Sequence, residues 1–225
     1  MRVVVTGGTG GLGMAVVETF LARGADVHLP IVEAELPAHL PWRGNAKVHA
    51  ARVSLEDEAQ VSAFYAALPD LWASIHLVGG FAMAPIAETT LAAFEQQWRI
   101  NSVTCFLACR EAVKAIRRSG KAGRIVNVSA RPVLHAAKSM TAYTASKAAV
   151  AAITQSVAAE VLDERILVNA ILPSIIDTPA NRKAMPTADY ASWPTPAQLA
   201  DTIAFLASEA NALTTGTLVP VYGRA

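Results

Sequence analysis

The chain has 225 residues, of which 53% are hydrophobic and 16% charged, with 19 basic against 18 acidic side chains and a formal net charge of +1. This composition excludes a disordered chain, and a balanced charge lacks the positive field that DNA and RNA binding requires. The length fits a single domain over 1–225, and no apolar run reaches the roughly 18 residues that a membrane span needs.

The first β-rich run, 2–6, leads into Thr6-Gly7-Gly8-Thr9-Gly10-Gly11-Leu12-Gly13 and then a helical pattern over 12–23. A strand, a glycine-rich turn and a helix bring a pyrophosphate to exposed backbone N–H groups at a positive helix end. No Gly-Lys-Ser or Gly-Lys-Thr follows, so a dinucleotide is preferred to a nucleoside triphosphate. The N-terminal Met1-Arg2-Val3-Val4-Val5 runs straight into this turn without a signal-peptide pattern, which favours a cytoplasmic protein.

Further strands are expected at 26–31, 47–53, 74–78, 124–129, 166–171 and 217–222. They alternate with helices at 56–68, 91–116, 141–162 and 196–208, whose apolar positions recur at helical spacing. Ser54 precedes the helix that opens with Glu56 and Asp57, and Arg117-Arg118-Ser119-Gly120 closes the 91–116 helix with cations and a glycine. Strand–helix alternation implies an α/β fold, a Rossmann-type doubly wound parallel sheet of about seven strands with helices on both faces. Cys105 and Cys109 stand at i and i+4 in the 91–116 helix with no zinc-ligand spacing, so they read as buried small residues and no metal is expected. Residues 178–196 carry four prolines and interrupt the alternation, as a substrate-covering loop would.

The chemistry concentrates at Tyr143-Thr144-Ala145-Ser146-Lys147. Positions four apart share a helix face, so phenol and ammonium converge. A nearby cation stabilises phenolate and should draw the phenol pKa down from about 10. A Tyr and a Lys at this spacing also arise in ordinary amphipathic helices, so the pair carries weight only in company. That company is the N-terminal glycines, Gly79-Gly80 after the fourth strand, Asn101, and Pro173 to Thr178 after the sixth.

Together these motifs resemble the short-chain dehydrogenase/reductase superfamily from end to end. Gly7, Gly11 and Gly13 fit its T-G-x-x-x-G-x-G pattern. Gly7, Gly10 and Gly13 fit the longer sugar-nucleotide branch, which the chain length disfavours. The resemblance implies hydride transfer between NAD or NADP and a carbonyl-type carbon. Tyr143 would then supply the proton, Lys147 would hold the nicotinamide ribose, Asn101 would support a water-linked proton path and Thr178 would contact the carboxamide. It places the cofactor against Thr6, Gly7, Gly11, Leu12 and Gly13, against Val78, Gly79 and Gly80, and against Pro173, Ile176 and Thr178 beside Tyr143 and Lys147. It also implies a small-molecule substrate and a homo-oligomer, dimer or tetramer.

The pattern is broken at one place. The superfamily carries a serine thirteen residues before the tyrosine, where this chain has Ala130, and the nearest hydroxyl is Ser129. Either Ser129 takes that role or the hydrogen bond is lacking, and the opposite facing of adjacent strand residues favours its absence. With Val78-Gly79-Gly80-Phe81-Ala82 in place of Asn-Ala-Gly, and with the segments after Ser129 and Leu172, the chain resembles dihydropteridine reductases, which also manage without that serine. A quinonoid, dihydropterin-like substrate follows from that resemblance, although Asn101 follows the broader superfamily. The cofactor form stays open, since Ile31 stands where an NAD-selecting Asp would and Arg52 could meet a 2′-phosphate. A catalytically silent NAD(P)-binding sensor or scaffold is the rival reading. A serine hydrolase has no nucleophile elbow to rest on.

Overall fold

The computed structural model describes residues 1–224; Ala225, the last residue of the expected domain, lies outside them. Seven strands, β1 (Arg2–Thr6), β2 (Asp26–Ile31), β3 (Val48–Arg52), β4 (Ala73–His76), β5 (Gly123–Val128), β6 (Ile166–Pro173) and β7 (Leu218–Val221), form one sheet in the order β3-β2-β1-β4-β5-β6-β7. Every pairing is parallel. The order reverses between β1 and β4, and in such sheets the crevice at the carboxyl ends of the strands there receives the ligand.

Helices cover both faces because strand side chains alternate. Val3 and Val5 of β1 pack with Val16, Val17 and Phe20 of α1 (Gly11–Ala22) and with Leu199 and Ile203 of α7 (Pro196–Leu206). Val4, between them, packs on the opposite side. There it joins Val61 and Tyr65 of α2 (Glu58–Ala66), Cys109 and Ile116 of α4 (Thr104–Ser119) and Val150 of α5 (Thr141–Glu160). Runs that are apolar on every residue are therefore buried on both faces, as the composition anticipated.

Three details differ from the sequence reading. The 91–116 helix is not continuous: α3 (Leu91–Trp98) passes through a π-helical turn at Arg99–Val103 before α4 begins. Such turns are defined by i→i+5 backbone bonding, which a run of apolar residues at roughly helical spacing does not specify. The N-cap of α2 is Asp57 rather than Ser54, its carboxylate accepting from the Gln60 N–H at 3.0 Å. The segment 178–196 is not irregular throughout: it holds α6 (Pro179–Ala184) and a 3₁₀ turn at Tyr190–Ser192, and the Asp177 N–H donates to Pro194 O at 2.9 Å across its base.

Candidate active site

At the carboxyl end of β1 the glycines act as spacers. Gly7 has φ +68°, and a Cβ on Gly13 would lie 2.1 Å from Gly7 O, so the turn and α1 close on each other only without side chains there. The N-cap of α1 is Gly10, which offers no capping side chain, and the first-turn N–H groups of Gly11, Leu12 and Gly13 have no partner among the described residues. They form an anion site of the kind that holds a pyrophosphate. Thr6 stands behind the turn: its hydroxyl oxygen accepts from Leu77 N–H at 3.1 Å, tying β1 to β4 across the reversal point.

After β4 the chain peels away at Val78, Gly79 and Gly80, and Asn101 in the π-helical turn holds it. Asn101 Oδ1 accepts from Gly80 N–H at 3.1 Å and its Nδ2 donates to Gly80 O at 3.0 Å. Nδ2 also reaches Ser146 Oγ at 3.1 Å, and that hydroxyl donates to Tyr143 O at 2.8 Å. Asn101 is 1% exposed, so its side chain is spent on joining the Gly79-Gly80 loop to the first turns of α5. A Cβ on Gly79 would sit 2.6 Å from Asn101 Oδ1 and 2.9 Å from Lys147 Nζ, which places that loop directly against the lysine.

Tyr143 and Lys147 both stand in the first half of α5, one packed on Phe81 just past β4 and the other bonded to the last residue of β5. Lys147 is 6% exposed and donates from Nζ to Val128 O at 2.9 Å; desolvation pushes its pKa down to about 8. The Tyr143 ring meets Phe81 edge-on at 4.9 Å, and burial pushes the phenol up to about 12. The expected lowering by the ammonium is not found. Burial disfavours phenolate more than a desolvated, carbonyl-bound amine favours it, so the phenol is a neutral donor over the working pH range.

Ser129 is 2% exposed, and its hydroxyl donates to Lys147 O at 2.8 Å. This commits its proton to the helix backbone and makes a reciprocal clasp with the Lys147 to Val128 bond. Position 130, where the superfamily has its serine, is a buried alanine. At the far side, Pro173 ends β6, Asn181 Nδ2 donates to Ile176 O at 2.8 Å, and Thr178 caps α6 by accepting from Asn181 N–H at 3.2 Å. The Thr178 methyl lies 3.0 Å from a Cβ placed on Gly11, so this loop borders the glycine turn and the Thr178 O–H remains free to donate.

The structure adds residues that motif reading missed. Glu33, two residues beyond β2, accepts from Thr9 Oγ1 at 3.4 Å, which brings a carboxylate to the glycine turn from a position later than Ile31. Below the site, His76, Cys105 and Cys109 come within 4.8 Å of one another in the core. Cys109 and His76 Nδ1 both meet Asn127 Oδ1, and Ser74 bonds His76 Nε2 at 2.8 Å, so these groups are satisfied by one another. Chain separation hid that cluster. A cleft of about 530 Å³ at the amino ends of the strands, lined by Arg2, Asp70 and Trp72, lies opposite the carboxyl edge and holds none of these groups.

The uncapped amides, the glycine contacts and the space that Gly79 leaves beside Lys147 fit a dinucleotide running from α1 to α5. The profile of the short chain dehydrogenase family matches residues 1–189. The 2-(R)-hydroxypropyl-CoM dehydrogenase of Xanthobacter autotrophicus is 33% identical over 92% of this chain and 90% of its own. Levodione reductase of Leifsonia aquatica is 29% identical over 98% and 92%. A solved structure, ElxO with NADP bound, shares the fold at a TM-score of 0.90 and 24% identity, covering 99% of this chain and 97% of that one. The chain therefore belongs to the short chain dehydrogenase family and is an oxidoreductase that uses NAD or NADP.

Proposed function

We propose that the protein reduces an activated carbonyl or quinonoid acceptor, with Tyr143 as the proton donor. The observation that carries this reading is Tyr143 one helix turn before the buried Lys147 on α5, the ring packed on Phe81 and the ammonium bonded to Val128 O at the carboxyl edge of the sheet. A bound nicotinamide supplies the hydride. The phenol O–H gives its proton to the acceptor oxygen, while Lys147 Nζ, with donors to spare beyond Val128 O, holds the ribose. Asn101 keeps α5 and the Gly79-Gly80 loop in register, and Thr178 donates to the carboxamide.

Ala130 offers no hydroxyl to polarise the acceptor, and Ser129 is occupied in its clasp. This favours acceptors that need little electrophilic help, among them quinones and dihydropterin-like quinonoids. The similarity to levodione reductase supports carbonyl reduction. The intact Tyr143–Lys147–Asn101 arrangement counts against a silent sensor. Glu33 beside Thr9 favours NAD, since a carboxylate accepts from the ribose 2′-OH and repels a 2′-phosphate. Exposed Trp98 and Phe106, on and after α3, support the homo-oligomer, which sedimentation would check, and a cytoplasmic location goes with this reading.

The test follows NADH and NADPH oxidation with quinonoid dihydrobiopterin, a series of quinones and a series of ketones. Turnover with at least one acceptor, faster with NADH, is expected. Equal rates for wild type and Tyr143→Phe would remove the phenol from the mechanism.

A further inference from the structure

Four arginines stack on aromatic rings, and three of them also have their N–H groups engaged. Arg110 bonds Glu58 and Glu111, Arg182 forms two bonds to Asp177, and Arg124 donates to the carbonyls of Ser208 and Asn211. Arg131 is the exception. Its guanidinium lies 5.1 Å over the Tyr222 ring, yet among the described residues no carboxylate pairs with it and no acceptor receives its N–H groups.

Its place in the fold makes the exception informative. Arg131 directly follows Ala130, where the polarising hydroxyl is missing, and opens a 3₁₀ turn at the carboxyl end of β5. Tyr222 follows β7 and is fixed by Ser174, whose hydroxyl donates to Tyr222 O at 2.7 Å just past β6. His135 meets the same ring edge-on at 5.7 Å. Arg131, partly exposed, thus stands at the carboxyl edge of the sheet in a turn that packs against α5, the helix that carries Tyr143. Exposed apolar side chains follow the carboxyl ends of three strands: Phe81, packed on Tyr143 past β4, Leu134, capping the Arg131 turn past β5, and Ile175, next to Ser174 past β6, are 58%, 49% and 40% exposed.

A guanidinium stacked on a ring and free of protein acceptors keeps its edge donors aligned for a bidentate oxyanion. We infer that Arg131 is a substrate-anchoring residue, and that the acceptor carries an anionic group, carboxylate or sulfonate, on an apolar body. This inference rests on the reading of the Tyr143 site as the reducing centre. It adds a specificity that the Tyr143–Lys147 pair cannot supply.

The experiment compares acceptors matched except for charge: 1,4-naphthoquinone-2-sulfonate with 1,4-naphthoquinone, and acetoacetate with methyl acetoacetate. In wild type, kcat/KM should favour an anionic member by about 10-fold or more, carried by KM. Arg131→Met should abolish that ratio, and Arg131→Lys should restore part of it. The two anions separate carboxylate from sulfonate recognition. Binding of naphthalene-2-sulfonate to the NAD-saturated protein, against naphthalene-2-sulfonamide, is read in parallel. Preferred sulfonate binding that Arg131→Met weakens at least 10-fold, without any turnover, would uphold the anion site while refuting the reductase reading. Turnover with equal ratios in wild type and Arg131→Met, or equal binding of both naphthalenes, would overturn the anion site and leave the reductase reading standing.

Discussion

At the scale of single residues, the site is governed by desolvation. On the proposed role of Tyr143 as proton donor, Tyr143→Phe should lower kcat by about 10²–10⁴-fold, read as NADH oxidation. Lys147 provides a stability signature of its own. Its folded pKa of about 8 lies below its ordinary 10.5, so between those values the unfolded chain binds a proton that the folded chain does not. Stability therefore rises with pH across that window, by at most on the order of 3 kcal/mol. Tyr143, raised from 10 to about 12, has the opposite sign and erodes stability above pH 10. Urea unfolding from pH 8 to 10 should show the rise in wild type and its loss in Lys147→Met. Ser129→Ala separates clasp from catalyst: it removes the extra bond on Lys147 O, which keeps its helical donor, and should cost about 0.5–1.5 kcal/mol, with kcat per folded molecule retained.

At the scale of elements, glycines and the π-helical turn decide where the residues sit. Gly13→Ala would drive a Cβ to 2.1 Å from Gly7 O, so loss of NADH binding and about 1–3 kcal/mol of stability are expected by titration calorimetry and thermal melts. Gly120→Ala is the contrast. That residue ends α4 at φ +65° with nothing within 4 Å of a Cβ, so it should cost about 1 kcal/mol through backbone strain and leave cofactor binding intact. The strands and helices themselves were legible from apolar periodicity, and the Gly7–Gly13 turn from its spacing. The turn at Arg99–Val103 was not, because the choice between i→i+4 and i→i+5 backbone bonds rests on tertiary partners rather than on apolar spacing. Its effect is spatial: it brings Asn101 to Gly80 and Ser146, both distant in the chain.

At the scale of the whole molecule, sheet order brings together what the chain keeps apart. Strand–helix alternation, the glycine turn and the spacing of Tyr143 to Lys147 are local patterns. They were enough to determine a doubly wound sheet and to mark a glycine turn suited to a dinucleotide and a candidate acid–base pair, because hydrogen-bond periodicity and helix geometry act over a few residues. Tertiary structure alone decided the rest. It set the sign of the Tyr143 shift, which depends on how much water surrounds the ring. It directed Ser129 to the Lys147 carbonyl, brought Glu33 to Thr9, and left Arg131 stacked on Tyr222 without an acceptor. Burial and electrostatic partnership are sums over neighbours from separate strands, and sequence spacing does not encode those sums.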